Sequence, residues 1–417
     1  MKKLLPLLTF LVFISLTQIN AQQVFDVVSI GSGYSNQSFY SMSNGEVSNI
    51  DNTDWDLAFQ ISGFQSSILL NSKNDVRLFK SGLHVNDWNN MSYIDTVNML
   101  NSSNELYNSD TSWWFGAFNT TFDPNNAFDL GWGVYDFATH VVSGDSIYFL
   151  ILPNNDVKKI YIVSLANSIY TFKYADVDGS NEITSTLDKT NFTNKNFGYY
   201  SFSTNTTTDR EPSRYDWDLL FHQYTAVSPF VYKVTGVQSN DSVKVAKAYP
   251  AEYSYADPWG YPYSYHISSI GNDWKFFDLN TFNWVLEDST VYFIEDRSGQ
   301  IWKLMFTAFG GSSTGDYEFV KEPVSATGLY ESDKPEIFGV YPNPNNGSFK
   351  LIANDIETES RIVIMDLNGK VFTRQNVFGI GGLQEIPIDI TDIPAGVYMI
   401  HLVSNASTST TRLMITK

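Results

Sequence analysis

Hydrophobic and polar positions alternate with a period of two along almost the whole chain. Val, Ile, Thr, Tyr and Phe come in short runs cut by Asn, Asp, Gly and Ser, the pattern of half-buried strands joined by turns. Helical spacing is nearly absent, so the chain is expected to be all-β. In DWDLAF, residues 54 to 59, alternation places Trp55, Leu57 and Phe59 on one face and Asp54 and Asp56 on the other. Burying three such apolar groups is worth roughly 6 kcal/mol per strand before entropy costs. DWDLLF, residues 216 to 221, repeats the arrangement with Trp217, Leu219 and Phe221. His222 falls opposite Phe221 and is matched by Gln60 in the first phrase, which predicts a surface position.

The flanks of the two phrases agree as well. FYSMS (Phe39 to Ser43) precedes the first and YYSFS (Tyr199 to Ser203) the second. A second anchor begins at Asp145 and again at Asp288: a Tyr-Phe strand, a turn, a strand carrying Lys159 or Lys303, and a closing Tyr170-x-Phe172 or Tyr317-x-Phe319. Two anchors in the same order predict a tandem duplication of a domain-sized unit. Copy 1 spans 24–175 and copy 2 spans 196–325, two antiparallel β domains, with Ala175 to Asn196 expected as a linker and Pro323 to Glu336 as a second one. The remainder, 337–417, holds about six short strands, with Asn368-Gly369 as a tight-hairpin signal. It is expected to form a small β-sandwich.

Composition narrows the function. The net charge of −19 comes with no run of Lys or Arg, which argues against an electrostatic grip on nucleic acid. The absence of cysteine removes disulfides, thiolate metal sites and cysteine nucleophiles. Lys2 and Lys3, the apolar run Leu4 to Leu16 and the small residue Ala21 form a secretory signal peptide over 1–21. That run is too short for a membrane span, and no later segment is expected to cross a bilayer.

Two families are suggested by particular residues. Tyr341-Pro342-Asn343-Pro344, Gly347, the Asp366-to-Lys370 hairpin, Pro394-Ala395-Gly396-Val397-Tyr398 and the terminal Lys417 resemble the type A C-terminal sorting domain of the bacterial type IX secretion system. The resemblance implies a Bacteroidetes-type host, Sec export, passage across the outer membrane by the type IX machinery with removal of the sorting domain, and delivery to the cell surface or the medium. FYSMS, DWDLAF and the closing Tyr-Phe strands, in both copies, resemble the HmuY-like family of all-β outer-surface proteins. That resemblance implies haem binding for iron acquisition, with two axial His or Met donors from the central part of a copy.

Haem needs soft or imidazole donors in an aromatic-lined slot. Copy 1 offers His84, Met91, Met99 and His140, with Trp88, Trp113, Trp114 and Phe115 as wall candidates; copy 2 offers His266. His84 with Met91 or Met99 is the favoured pair. The alternative is a surface adhesin or glycan-binding protein using the aromatic loop Tyr255 to His266, which Pro258, Gly260 and Pro262 keep out of regular strand. Asp54 and Asp56 share one strand and therefore suit capping or solvation better than the cleft geometry of a glycosidase. Asp176, Asp178 and Glu182 echo part of a calcium loop but fit an ordinary Asp-Gly turn better. With no HExxH and no phosphate-cradling glycine loop, the chain is expected to be a non-enzymatic binding protein.

Overall fold

The computed structural model describes residues 23–324 apart from 64 and 288, and 336–417 apart from 355, 357–359, 367–369, 379–382 and 405–407. The signal peptide, the stretch 325–335 and the Asn368-Gly369 turn lie outside the described residues. Strands appear in four consecutive segments. The first holds β1 (Val24–Ser29), β2 (Asn36–Ser41) and β3 (Gly45–Asp51). The second holds β4 (Leu57–Gln60), β5 (Ile68–Leu70), β6 (Arg77–His84), β7 (Glu105–Leu106), the hairpin β8 (Gly133–Asp136) and β9 (Val141–Gly144), then β10 (Ser146–Ile151), β11 (Val157–Ala166) and β12 (Ile169–Asp176). The third holds β13 (Ile183–Asp188), β14 (Phe197–Ser201) and β15 (Thr206–Thr208). The fourth holds β16 (Leu219–Ala226), β17 (Tyr232–Ser239), β18 (Lys244–Ala248), the hairpin β19 (Lys275–Asp278) and β20 (Asn283–Leu286), then β21 (Val291–Glu295), β22 (Ile301–Phe309) and β23 (Asp316–Val324).

The segments pair crosswise. The third closes on the second to give unit I, with a large sheet β13-β12-β11-β10-β6-β7 and a small sheet β15-β14-β4-β5. The first closes on the fourth to give unit II, with a large sheet β1-β23-β22-β21-β18 and a small sheet β17-β16-β2-β3. The two units share this strand order, with β7 an addition in unit I, down to a bulge after Ile162 in β11 and after Phe306 in β22. The duplication visible in sequence is therefore folded with its N-terminal segments exchanged. Unit I comprises residues 52–209, and unit II combines 24–51 with 210–324. The stretch 175–196 departs from the linker expected of it: β13 pairs with β12 from Ile169 to Tyr174, and Leu187 is fully buried in the core of unit I.

Each repeated phrase is half of that exchange. Asp56 donates its N–H to Tyr200 O at 2.9 Å, and its carboxylate accepts the N–H of Phe202 at 2.7 Å. Asp218 does the same with Tyr40 O at 2.8 Å and the N–H of Met42 at 2.7 Å. Both aspartates are strand caps, buried enough that desolvation raises their carboxyl pKa. Alternation holds for Leu57 and Phe59 and for Leu219 and Phe221, which enter the cores of unit I and unit II. It fails at Trp55 and Trp217, where both indoles turn to the other face beside Ala58 and Leu220, because the chain bends at the capping aspartate. Asp218→Ala leaves the Met42 N–H buried without an acceptor, an expected loss of about 1–3 kcal/mol. Exposed Asp216→Ala is expected to stay within about 0.5 kcal/mol of the parent in the same urea unfolding series.

The C-terminal region contains β24 (Glu336–Tyr341), β25 (Ser348–Asn354), β26 (Ser360–Asp366), β27 (Val371–Val377), β28 (Leu383–Asp389), β29 (Gly396–Ser404) and β30 (Thr408–Ile415). They form the expected sandwich, β24-β25-β28 against β27-β26-β29-β30, around Leu351, Ile362, Ile364, Ile400 and Leu413.

Candidate functional site: the cleft between the units

A strand buried on one face by its own unit has a second face to dispose of. On β4 and β14 that face carries Ala58, Phe197 and Tyr199; on β2 and β16 it carries Phe39 and Leu220. The two small sheets turn these faces toward each other across a cleft of about 60 Å³. That is room for roughly five waters at ~10–15 Å³ each. Trp113, from the loop after β7, lies against both sides, and its Nε1 donates to Ser239 O at 2.9 Å.

A carboxyl and an imidazole line the cleft. Glu211 sits on the crossover from unit I to unit II, where Arg210 anchors the chain to Asp54 at 3.0 Å. Its carboxylate accepts the N–H groups of Asn196 and Phe197, both at 3.0 Å, and the Tyr199 hydroxyl at 3.2 Å. Burial pushes this carboxyl up to about 7, and those donors restrain the rise. His222, on β16, bonds to Gln238 Oε1 at 2.8 Å and stacks on Tyr224. Burial pushes its imidazole down to about 4. The surface position expected for His222 is thus corrected: the outer face of β16 is covered by the other unit.

The two repeated tryptophans differ in their bonding. Trp55 Nε1 donates to Asn52 Oδ1 at 2.8 Å. The corresponding position before Trp217 holds Arg214, whose guanidinium turns to Asp241 and Ser62. Trp217 Nε1 is left buried without a hydrogen-bond partner among the described residues, and so is Asn196 Oδ1. Both residues line the cleft. Superposing the two copies in sequence exposes the Asn52-to-Arg214 difference, so Trp217 was findable; Asn196, Glu211 and Gln238 lie outside the copied motifs and carried no signal.

The five haem-donor candidates lie elsewhere, and none lines the cleft. His84 ends β6, and its Nδ1 accepts the N–H of Asn86 at 3.2 Å. Met91 is buried in a cluster with Phe79, Trp88 and Phe149, and Met99 packs against the same cluster. His140, between β8 and β9, bonds to the Tyr135 hydroxyl at 2.7 Å. His266 belongs to unit II, at an exposed position. His84, Met91 and Met99 share a neighbourhood, yet the methionines are absorbed in apolar packing around Trp88, whose ring also carries the Lys159 ammonium at 4.6 Å. This arrangement does not fit a pair of donors facing each other across a porphyrin. Of the wall candidates, Trp113 lines the cleft, Trp114 stacks on Phe197, and Phe115 meets Phe122.

The remaining motifs are accounted for locally. Asp178 accepts the N–H of Ser180 at 2.9 Å and Gly179 donates to Asp176 O at 2.9 Å, the bonding of a turn, while Glu182 takes the indole N–H of the distant Trp88 at 2.7 Å. The aromatic loop Tyr255 to His266 faces the C-terminal sandwich, where Trp259 stacks on His401 and Gly260 O accepts from Arg374 at 2.7 Å.

In that sandwich the motif residues set its opening turn. Asn343 exchanges hydrogen bonds with the β30 edge, to Arg412 O at 2.9 Å and from the N–H of Met414 at 2.8 Å. Asn345 holds Pro342 O at 3.0 Å and the N–H of Gly347 at 2.8 Å. Gly347 has φ of +103°, and an added Cβ would lie 2.6 Å from Thr391 Cα, so glycine is required there. Tyr341 stays exposed and Pro344 follows Asn343 in the same turn. Gly396 opens β29, the Tyr398 hydroxyl donates to Pro394 O at 2.8 Å, and Lys417 ends the chain exposed.

Among the described residues no helix is long and apolar enough to cross a membrane. No curated protein matches the chain. The family model described as the secretion system C-terminal sorting domain matches residues 339–416. The C-terminal sandwich is therefore a type IX sorting domain, and the chain is cargo that the type IX secretion machinery exports to the cell surface or the extracellular space.

Proposed function

We propose that the exported protein is a non-enzymatic binding protein whose ligand seat is the cleft between the two interlocked units. The observation that carries this reading is the pair of buried, unpartnered polar atoms, Trp217 Nε1 and Asn196 Oδ1, in a cleft lined by aromatic rings together with aliphatic and amide side chains. Buried polar groups are nearly always satisfied, and the exceptions call for an occupant or a role. Sites of this type also concentrate where domains meet. The haem reading that accompanies the HmuY-like resemblance has its donors outside this cleft, and the space is too small to bury a macrocycle.

One titration separates the readings. The full chain is titrated with haem and with a panel of glycans while Soret absorbance and tryptophan emission are followed. The cleft reading expects a ligand-dependent change in tryptophan emission that Trp113→Leu abolishes, and a Soret band identical to that of free haem. A shifted Soret band that disappears in His84→Ala or Met91→Ala would replace it with haem capture.

A further inference from the structure

We propose that the ligand of the cleft is a neutral saccharide, held through its hydroxyls by Trp217 Nε1 and Asn196 Oδ1 with the Trp113 indole as its apolar platform. This inference rests on the cleft being the ligand seat. The two unpartnered atoms are one donor and one acceptor, and both residues are almost wholly buried, Trp217 at 3% and Asn196 at 1% exposure. A hydroxyl donates once and accepts twice, so the hydroxyls of one saccharide supply both the acceptor that Trp217 Nε1 lacks and the donor that Asn196 Oδ1 lacks. A carboxylate or phosphate only accepts, which leaves Asn196 Oδ1 unmet and adds charge beside Glu211. An ammonium only donates, which leaves the Trp217 N–H unmet.

A peptide amide also offers a donor and an acceptor, but the walls disfavour it. They are faces of the two small sheets, whose backbone groups are already paired in the β4–β14 and β2–β16 ladders. A peptide recognised by strand addition needs an open edge instead. Flat indoles alternating with side-chain amides and an imidazole, here Gln37, Gln238 and His222, suit a ring that is apolar on its faces and hydroxylated at its rim. The size agrees, since about 60 Å³ admits the edge of one ring. Neither unpartnered atom is open to bulk water, so entry of the ring parts the two small sheets.

The test is calorimetric titration of the full chain with neutral mono- and disaccharides (glucose, galactose, mannose, N-acetylglucosamine, maltose, cellobiose), with glucuronate and a neutral tripeptide as contrasts. A neutral saccharide is expected to bind at millimolar concentration or below. Trp217→Phe, which keeps an aromatic ring and removes the N–H, is expected to weaken binding by about three- to tenfold, the loss of one hydrogen bond. Trp113→Leu is expected to abolish it, and it serves as the second variant if Trp217→Phe unfolds. Trp259→Ala, on the aromatic loop, is expected to leave affinity unchanged. Binding of glucuronate or the tripeptide alone, still lost in Trp113→Leu, overturns the ligand class while the cleft stands. Saccharide binding that survives both cleft substitutions and vanishes in Trp259→Ala overturns the cleft itself, and so does the absence of any binding.

Discussion

Deleting residues 24–51 is expected to abolish unit II and leave unit I folded, although the deleted segment precedes unit I in the chain. β1 aligns with β23 from Val24 to Ser29, and β2 pairs with β16 from Ser38 to Tyr40. Val28, Ile30, Tyr40 and Met42 are all fully buried in the core of unit II. At roughly 1.5–3 kcal/mol for each side chain, their removal costs about 6–12 kcal/mol. That matches the whole stability of an ordinary domain, about 5–15 kcal/mol. The deletion also strands Lys321, whose buried ammonium donates to Met42 O at 2.8 Å. With the C-terminal sandwich removed as well, so that residues 52–324 remain, calorimetry is expected to show the unit I transition alone. Two surviving transitions would mean that β1 to β3 are dispensable.

The second large effect is a pair of opposed pH dependences in the cleft. Glu211 has a pKa near 7 when folded, against 4.5. Its contribution to stability is fully present below about 4.5 and is lost as pH rises through about 7. His222 has a pKa near 4 when folded, against 6.5. Its contribution is fully present above about 6.5 and is lost as pH falls through about 4. Each is worth about 3 kcal/mol at 1.36 kcal/mol per tenfold change in proton affinity. Between pH 4.5 and 6.5 the two slopes nearly cancel. Replacing either group is expected to uncover the other. Glu211→Gln, relative to the parent, loses stability as pH falls from 6.5 to 4, whereas His222→Gln gains stability as pH falls from 7 to 4.5. Urea unfolding across this range checks both, and parallel profiles for the parent and both variants would contradict the assignment.

Much of the strand content was legible because a period of two survives any pairing partner. DWDLAF and DWDLLF announced themselves as core strands, and Leu57, Phe59, Leu219 and Phe221 took the core positions that alternation gives them. The exchange of segments was not legible. Copies of one domain present nearly identical pairing surfaces, so FYSMS fits DWDLLF as well as DWDLAF, and the choice is made by chain geometry rather than local sequence. The hidden strand Ile183–Asp188 had too little apolar content to stand out among Asn, Thr and Asp. The same exchange explains the error at His222: alternation places it correctly on the outer face of β16, but the other unit covers that face. The sorting domain was recognisable because its motif residues are contiguous in sequence and set one turn, where Asn345 accepts the N–H of Gly347, although Asn343 reaches across the sandwich to Arg412. The cleft depends on contacts between segments more than a hundred residues apart in sequence, such as Trp113 to Ser239, and only the folded chain reveals it.

The most direct measurement compares two fragments of similar length, residues 52–209 and residues 24–175, by urea unfolding monitored through tryptophan emission. Crosswise pairing predicts a cooperative transition for 52–209, which holds every strand of unit I. It predicts none for 24–175, which lacks β13, β14 and β15 and carries β1 to β3 without their partners. A cooperative transition in 24–175 together with none in 52–209 would contradict the exchange, and with it the cleft that the exchange builds.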